Sequence, residues 1–160
     1  MKICIPVSFA LLLWNSHFAF AQSDSAAEEK AVLKTVYALF DGMRAGDSLL
    51  VKAVFHPQAR LMTTSFSPQT QETLVREESP WAFARAIGQP HDKAYDERLH
   101  TAEVRIDGPL AMVWTEYTFY LGDQKNHCGV NAFQLVKTPE GWKILVVMDT
   151  RRREPCPDRK

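Results

Sequence analysis

The sequence has no excess of charge of either sign. Its 160 residues include 19 Lys and Arg against 19 Asp and Glu, so the formal net charge is +0. A neutral chain lacks the basic surface that nucleic acid or anionic lipid requires as a main partner, and we expect neither. Its one basic cluster, Arg151-Arg152-Arg153, stands beside Glu154 and Asp158 without interleaved aromatic residues, which favours a solvated strand end.

Long apolar runs are missing except at the beginning of the chain, where residues 1–21 match a cleavable secretory signal peptide. Lys2 precedes an apolar run over residues 3–20, and residues 19–21 form a small-residue cleavage site. Polar residues 15–17 leave too little continuous hydrocarbon to span a bilayer of about 30 Å. We therefore expect a periplasmic or secreted protein with no membrane segment after cleavage. Residues 22–160 would form one domain, with 18 basic and 19 acidic residues.

The sequence also lacks a cluster with metal-ligand spacing, so we expect no metal and no other cofactor. Cys128 and Cys156 are the two cysteines that would remain after export to an oxidising compartment. The strand register described below puts Cys128 opposite Arg151, close to Cys156 along the chain. A bridge between them would close a loop of about 28 residues. The alternative is two free thiols, with Cys128 as a small buried apolar residue.

Three consecutive β-strands are predicted over residues 112–121, 127–137 and 142–150, which are rich in β-branched and aromatic residues. Turns at Gly122-Asp123 and at residues 138–141 separate them. The alternating pattern of residues 99–106 predicts a further strand beside the first of these. Together these segments form a curved antiparallel meander.

The first half of the sequence predicts helices. Ser25 and Glu28 have capping-box spacing, and apolar residues recur at three- and four-residue intervals over residues 32–43. Asp47 can cap a second helix, and Ser79-Pro80 is typical of the start of a third. Helices that precede antiparallel strands indicate an α+β domain in which the curved sheet wraps around the N-terminal helices and leaves a cone-shaped cavity.

The strand register decides which side chains face this cavity. Pairing Lys137 with Trp142, together with a two-residue loop at Gly122-Asp123, defines one largely apolar face with a few polar groups. The residues predicted on this inward face include Trp114, Glu116, Asn131, Phe133 and Met148.

Glu116 is the candidate with the clearest chemistry, because a carboxylate among apolar neighbours loses hydration unless it is paired or protonated. His100 and His127 on neighbouring strands are its candidate partners. A carboxylate and an imidazole together can move protons near neutral pH, as isomerisation or dehydration of a small carbonyl compound requires. The alternative is that Glu116 lies in water at the mouth of the cavity, with both histidines as ordinary residues at strand ends.

Six residues are candidate ligand contacts: His56, Trp81, Trp114, Asn131, Phe133 and Met148. The tryptophans could line a pocket for a flat ligand or fill the core. His56 precedes a proline and is equally suited to ending a helix. We assign Trp142 to packing.

The order of elements, Asp47 followed by Phe55-His56-Pro57, and a final hairpin that contains Gly141-Trp142 together resemble the nuclear transport factor two-like superfamily. The resemblance covers residues 22–160 and extends to small exported bacterial members described as lumazine-binding or polyketide-cyclase-like. It implies a cystatin-like cone with a pocket between sheet and helices, frequently in a homodimer through the outer sheet face. The superfamily includes isomerases, dehydratases and cyclases beside members without known chemistry, so the fold does not decide the function.

Three hypotheses follow. The first is an exported domain that binds a small, largely apolar molecule without turning it over. The second is a cofactor-independent lyase or isomerase that acts on a small carbonyl or polyketide-like compound. The third is an interaction module that dimerises or docks another protein.

Overall fold

The computed structural model describes residues 16–156 of the chain, with side chains from residue 25 onward. The signal-peptide prediction falls mainly on residues 1–15, which lie outside the described residues, so it stays a prediction. The elements in chain order are α1 (Ser16–Ala45), α2 (Ser48–Val54), β1 (Phe55–Ser67), β2 (Glu72–Glu78), α3 (Pro80–Ile87), β3 (Tyr95–Leu99), β4 (Glu103–Asp107), β5 (Leu110–Leu121), β6 (Gln124–Thr138) and β7 (Gly141–Thr150). Within the described residues, no helix has the length and apolar character needed to cross a bilayer.

The strands form one open, curved sheet in the order β2-β1-β7-β6-β5-β3, with β4 also paired to β5. The predicted α+β domain, with this sheet wrapped over the helices, is confirmed. The sheet is mixed, because β1 runs parallel to β7. A parallel pair requires a long connection, and here β2 to β6 and α3 all lie between its two strands in the sequence.

The helices begin largely where the sequence predicts. Asp47 accepts hydrogen bonds from the backbone N–H groups of Leu49 and Leu50, both at 2.9 Å, and caps α2. Ser79 accepts one from the N–H of Ala82 at 3.4 Å and caps α3. The start of α1 at Ser25 was wrong, because residues 16–24 contain no glycine or proline and continue the helix upstream.

The core lies between α1 and the concave face of the sheet. Its fully buried side chains include Val32, Val36, Val51, Val113, Phe133, Leu135 and Ile144. Trp142 is 5% exposed, and its indole N–H donates to Glu28 Oε2 at 3.0 Å. The assignment of Trp142 to packing is confirmed.

Two β-bulges determine which side chains face the core. Leu121 pairs with Gln124, as the two-residue loop predicts, but Asn126 is an extra residue, and Phe119 therefore pairs with His127. In the last hairpin Lys137 pairs with Trp142 as predicted, but Leu145 is an extra residue between Ile144 and Val146. Each bulge exchanges the two faces of the strand beyond it.

Three of the five residues named for the predicted inward face are therefore on the wrong side of the sheet. Trp114 is 47% exposed and Met148 is 38% exposed, and both lie on the outer face. Glu116 alternates with the inward residues Thr115 and Tyr117 and also points outward. Tyr117 and Asp149 take the inward positions instead.

The predicted strand over residues 99–106 is two strands, because residues 100–102 interrupt it. Both β3 and β4 pair with β5, each along a different half of it. The polar segment Tyr95–Leu99 is thereby added to the sheet edge, and its alternation turns Tyr95, Glu97 and Leu99 to the inward face.

The predicted bridge between Cys128 and Cys156 is confirmed, with 5.7 Å between the two Cα atoms. Cys128 pairs with Arg152 rather than with Arg151, because the extra residue Leu145 in β7 shifts the register between β6 and β7 by one position. The bridge ties the segment after β7 to the beginning of β6.

Candidate functional site

A cavity of about 430 Å³ lies between the concave face of the sheet and helices α1 and α3. Its floor is apolar and includes Leu39, Phe40, Met43, Phe55, Phe83, Ile87 and Phe133. This volume falls within the usual range of small-molecule pockets.

One wall of the cavity, next to this floor, is polar. Glu97 from β3, Asn131 from β6 and Asp149 from β7 reach it from adjacent parts of the sheet, and Arg151 follows directly after β7. His127 lies at the edge of the same wall. A pocket with an apolar body and a few convergent polar groups is the form in which proteins commonly hold a small ligand.

Glu97 is the polar residue at the centre of this wall. The side-chain amide of Asn131 donates to Glu97 Oε1 at 2.7 Å. The pKa of Glu97 is raised from its ordinary value of 4.5 to about 7: burial is the main cause and the charge of Asp149 adds to it, while the hydrogen bond from Asn131 and the charge of Arg151 oppose the rise. The residue keeps partial surface exposure because it borders the cavity, although protein surrounds its carboxyl group on the other sides.

Asp149 is held by two donors. The Tyr117 hydroxyl lies 3.2 Å from Asp149 Oδ2 and 3.0 Å from the carbonyl oxygen of Thr150 and donates to both, and Arg151 Nε donates to the same Oδ2 at 2.7 Å. Burial, together with the charges of Glu97 and Asp149, raises the pKa of Tyr117, so the phenol stays protonated. Burial alone would lower the pKa of Arg151, but its hydrogen bond to Asp149 reverses this and the guanidinium stays charged.

His127 adds a flat ring to the wall. Its ring centroid lies 5.0 Å from that of Phe119 and 5.7 Å from that of Tyr117. Burial lowers the pKa of His127, and the nearby charge of Arg151 lowers it further. The imidazole is therefore neutral at pH 7 and contributes packing and one hydrogen-bonding nitrogen.

The structure brings only part of the predicted site to this cavity. His127, Asn131 and Phe133 line it. Six predicted residues lie outside it: His56, Trp81, His100, Trp114, Glu116 and Met148.

The predicted pairing of Glu116 with an imidazole does not form. His100 meets Glu116 through the backbone, where its N–H donates to the Glu116 carbonyl at 2.8 Å, while its ring Nε2 lies 2.8 Å from Thr118 Oγ1. Elsewhere in the chain His56 Nδ1 accepts from the N–H of Gln58 at 3.2 Å. Trp81 packs against the core.

Three residues of the polar wall were not predicted, and neither was the tyrosine bonded to it: Glu97, Asp149 and Arg151, with Tyr117. For Glu97 a signal was present, because Tyr95, Glu97 and Leu99 alternate with charged residues before the predicted strand begins. Tyr117 and Asp149 carried no such signal, since their orientation depends on the two bulges. Within the described residues, no group of three or more His, Cys, Asp or Glu side chains is placed to hold a metal ion.

The raised pKa of Glu97 predicts a pH dependence of stability. The folded state keeps this proton up to about pH 7, whereas the unfolded chain releases it near 4.5. The stabilising contribution is therefore complete below pH 4.5 and is lost as the pH rises through 7. We expect the free energy of unfolding, measured with denaturant, to fall by on the order of 2 kcal/mol over this interval relative to Glu97→Gln. Parallel pH profiles for the two proteins would contradict this.

The sequence matches a known protein family over most of its length. Residues 27–148 match the protein-family model described as "Putative lumazine-binding". No curated protein matches the sequence.

Solved structures share the fold at low sequence identity. An NTF2-like protein with a cystatin-like fold from Novosphingobium aromaticivorans is 12% identical with a TM-score of 0.67, over 88% of this chain and 92% of that chain. A protein of unknown function from Mycobacterium tuberculosis is 11% identical with a TM-score of 0.66, over 82% and 75%. An NTF2-like protein from Streptomyces avermitilis described as a "putative dehydratase" is 15% identical with a TM-score of 0.59, over 81% and 98%. The NTF2-like structures are similar to this chain in fold. Because the family match spans more than half of the sequence, this chain belongs to the family described as "Putative lumazine-binding".

Proposed function

We propose that this protein is an exported domain that binds a small, flat, largely apolar molecule in the cavity between sheet and helices. The observation that carries the proposal is the cavity of about 430 Å³, which combines an apolar floor with the polar wall around Glu97 and Asn131. A flat ligand would pack between aromatic side chains and place its polar edge on that wall.

Lumazine is a suitable first ligand to test. The family description names it, and its chemistry suits the site, because it is a flat heteroaromatic dione with hydrogen-bond donors and acceptors along its ring edge. The Glu97 carboxyl and the Asn131 amide together offer both a donor and an acceptor.

Two observations support export to the periplasm or the outside of the cell. The pattern of residues 1–21 is that of a secretory signal peptide. The bond between Cys128 and Cys156 is of the kind that forms and persists in oxidising compartments.

Filling the cavity should weaken binding strongly. Ala86 lines the cavity from the exposed side of α3, so Ala86→Trp places an indole in the ligand's space without disturbing the core. We expect the lumazine affinity, measured by fluorescence titration, to fall by more than about 30-fold, the loss of roughly 2 kcal/mol or more. Arg85→Trp adds the same side chain one position earlier, outside the cavity, and should leave the affinity unchanged. Equal affinities for wild type and Ala86→Trp would contradict the proposed site.

A second candidate function is cofactor-independent acid–base catalysis on a small carbonyl compound. The observation that favours it is Glu97, whose pKa of about 7 suits proton transfer near neutral pH and whose carboxyl group faces the cavity. In this reading Glu97 takes the role that the sequence suggested for Glu116. Turnover that disappears in Glu97→Gln while ligand binding persists would support catalysis, and unchanged turnover would exclude Glu97 as the acid or base.

The outer sheet face supports the proposal of a homodimer. Trp114, Ala132 and Met148 lie in one row across β5, β6 and β7, and Met112 is beside them at 37% exposure. An exposed apolar row of this kind marks an interaction surface in many proteins. We expect a concentration-dependent mass in sedimentation equilibrium, and Trp114→Glu should shift it to the monomer. A monomeric mass at high concentration for the wild type would contradict dimerisation.

A further inference from the structure

The charged side chains around the cavity are not balanced. Two basic residues, Arg76 and Arg151, and three acidic residues, Glu78, Glu97 and Asp149, line it. Arg151 is bonded to Asp149 at 2.7 Å, whereas Arg76 and Glu78 lie on the exposed strand β2, where water screens their charges. Glu97 therefore remains as the carboxyl group for which the cavity wall provides no counterion of its own.

The immediate surroundings of Glu97 supply only a neutral donor. Its Oε1 accepts from the Asn131 amide at 2.7 Å, and no basic side chain in residues 25–156 donates to either of its oxygens. The groups that face Glu97 from the neighbouring elements are Tyr117, His127, Asp149 and Arg151, with Arg76 and Glu78 across the cavity. Among these, the phenol and the imidazole are uncharged at pH 7, and the charge of Arg151 is shared with Asp149.

The rest of the cavity is well suited to a cation on an apolar body. Its aromatic lining consists of Phe40, Phe55, Phe83, Tyr95, Phe119 and Phe133. The faces of such rings attract a positive charge, by roughly 0.5 to 2 kcal/mol per contact when water is excluded. A neutral ligand would gain the apolar contacts but would leave Glu97 without a counterion.

We propose that the ligand carries a protonated nitrogen on a flat apolar body, and that this nitrogen pairs with the Glu97 carboxylate inside the cavity. This inference rests on the proposed function, because it concerns the same cavity. A bound cation supplies the counterion that Glu97 lacks and thereby favours its ionised form. Lumazine is uncharged, so a cationic aromatic of similar size should bind more tightly than lumazine.

The test compares two ligands of nearly the same shape. 2-Naphthylmethylamine is protonated from pH 5 to pH 8, whereas 2-naphthylmethanol is neutral throughout, and both are titrated calorimetrically. At pH 8 we expect the amine to bind at least about tenfold more tightly than the alcohol. Because only ionised Glu97 pairs with it, the amine's affinity should rise by about tenfold per pH unit from pH 5 to pH 7 and then level off.

Variants separate this inference from the proposed function. Glu97→Gln should remove the amine's advantage and its pH dependence while the alcohol still binds. Glu116→Gln removes one carboxylate from the outer face and should change neither. If amine and alcohol bind alike at every pH, the charge inference is overturned while cavity binding stands. If neither ligand binds and lumazine does not bind, the proposed function itself fails.

Discussion

Loss of the disulfide between Cys128 and Cys156 is expected to lower the free energy of unfolding by about 3 to 4 kcal/mol. The bond joins residues 28 positions apart, and the entropy of the unfolded chain rises by the corresponding amount when that loop is opened. For a domain of this size the midpoint of thermal unfolding should fall by about 10 °C. Calorimetry on the double variant Cys128→Ser/Cys156→Ser measures the effect.

Chemical reduction provides a control for the two substitutions. The reduced wild type should unfold at the same temperature as the double variant, and reductant should leave the double variant unchanged. An unfolding temperature that reduction does not lower would show that backbone pairing alone holds the tail. That pairing is present, because Cys128 and Arg152 exchange backbone hydrogen bonds of 2.9 and 3.0 Å.

The elements of the fold were readable from the sequence because their signals are local. Asp47 and Ser79 cap helices through bonds to residues two or three positions away. The turn at Gly122-Asp123 and the pairing of Lys137 with Trp142 are likewise set by neighbours along the chain. The disulfide followed from the number of cysteines and their nearness to the last strand.

The residues of the site were harder to predict from the sequence, because two single bulge residues decide which side chains face the cavity. Asn126 and Leu145 each add one position to a strand, and neither is a glycine. Gln71 is the one non-glycine residue with a positive φ in the described part of the chain, so neither bulge needs the positive φ that a glycine would have indicated in the sequence. If side chains are assumed to alternate along each strand without these bulges, Trp114, Glu116 and Met148 are placed on the wrong face.

The resemblance to a superfamily could not correct the assignment of side chains to the two faces of the sheet. It predicts a cone with a pocket, which the structure has, but it does not assign polar residues whose position changes with the register. Residues after the bulge at Asn126 illustrate the limit, since Asn131 and Phe133 were placed correctly on β6 while their neighbours on β5 were not. The sequence predicted that Glu116 would be the carboxylate in the cavity. Glu97 takes this position instead, on β3, which the sequence did not distinguish from β4.

Gly129→Ala is expected to be among the most destabilising single substitutions in the domain. A Cβ atom at this position would lie 2.8 Å from Tyr117 Cε1 and 2.9 Å from the carbonyl carbon of Thr150, and closer still to the Thr150 oxygen. Thr150 Oγ1 accepts from the N–H of Val130 at 3.1 Å, and moving β7 away to make room would break this hydrogen bond. We expect the free energy of unfolding, measured with denaturant, to fall by about 4 kcal/mol or more, or the protein to fail to fold.

Gly108→Ala separates this steric effect from the general cost of replacing glycine. Gly108 has a φ of +54° and nothing within 4 Å of an added Cβ, so its substitution strains only the backbone, by about 1 kcal/mol. The excess cost at Gly129 therefore measures how closely β6 approaches Thr150 and the ring of Tyr117. That approach matters to the site, because the Tyr117 hydroxyl reaches Asp149 and Thr150 only across this contact. A Gly129→Ala protein as stable as Gly108→Ala would mean that the strands can separate here, and the hydrogen bonds that hold Asp149 in the cavity wall would then not be fixed by packing.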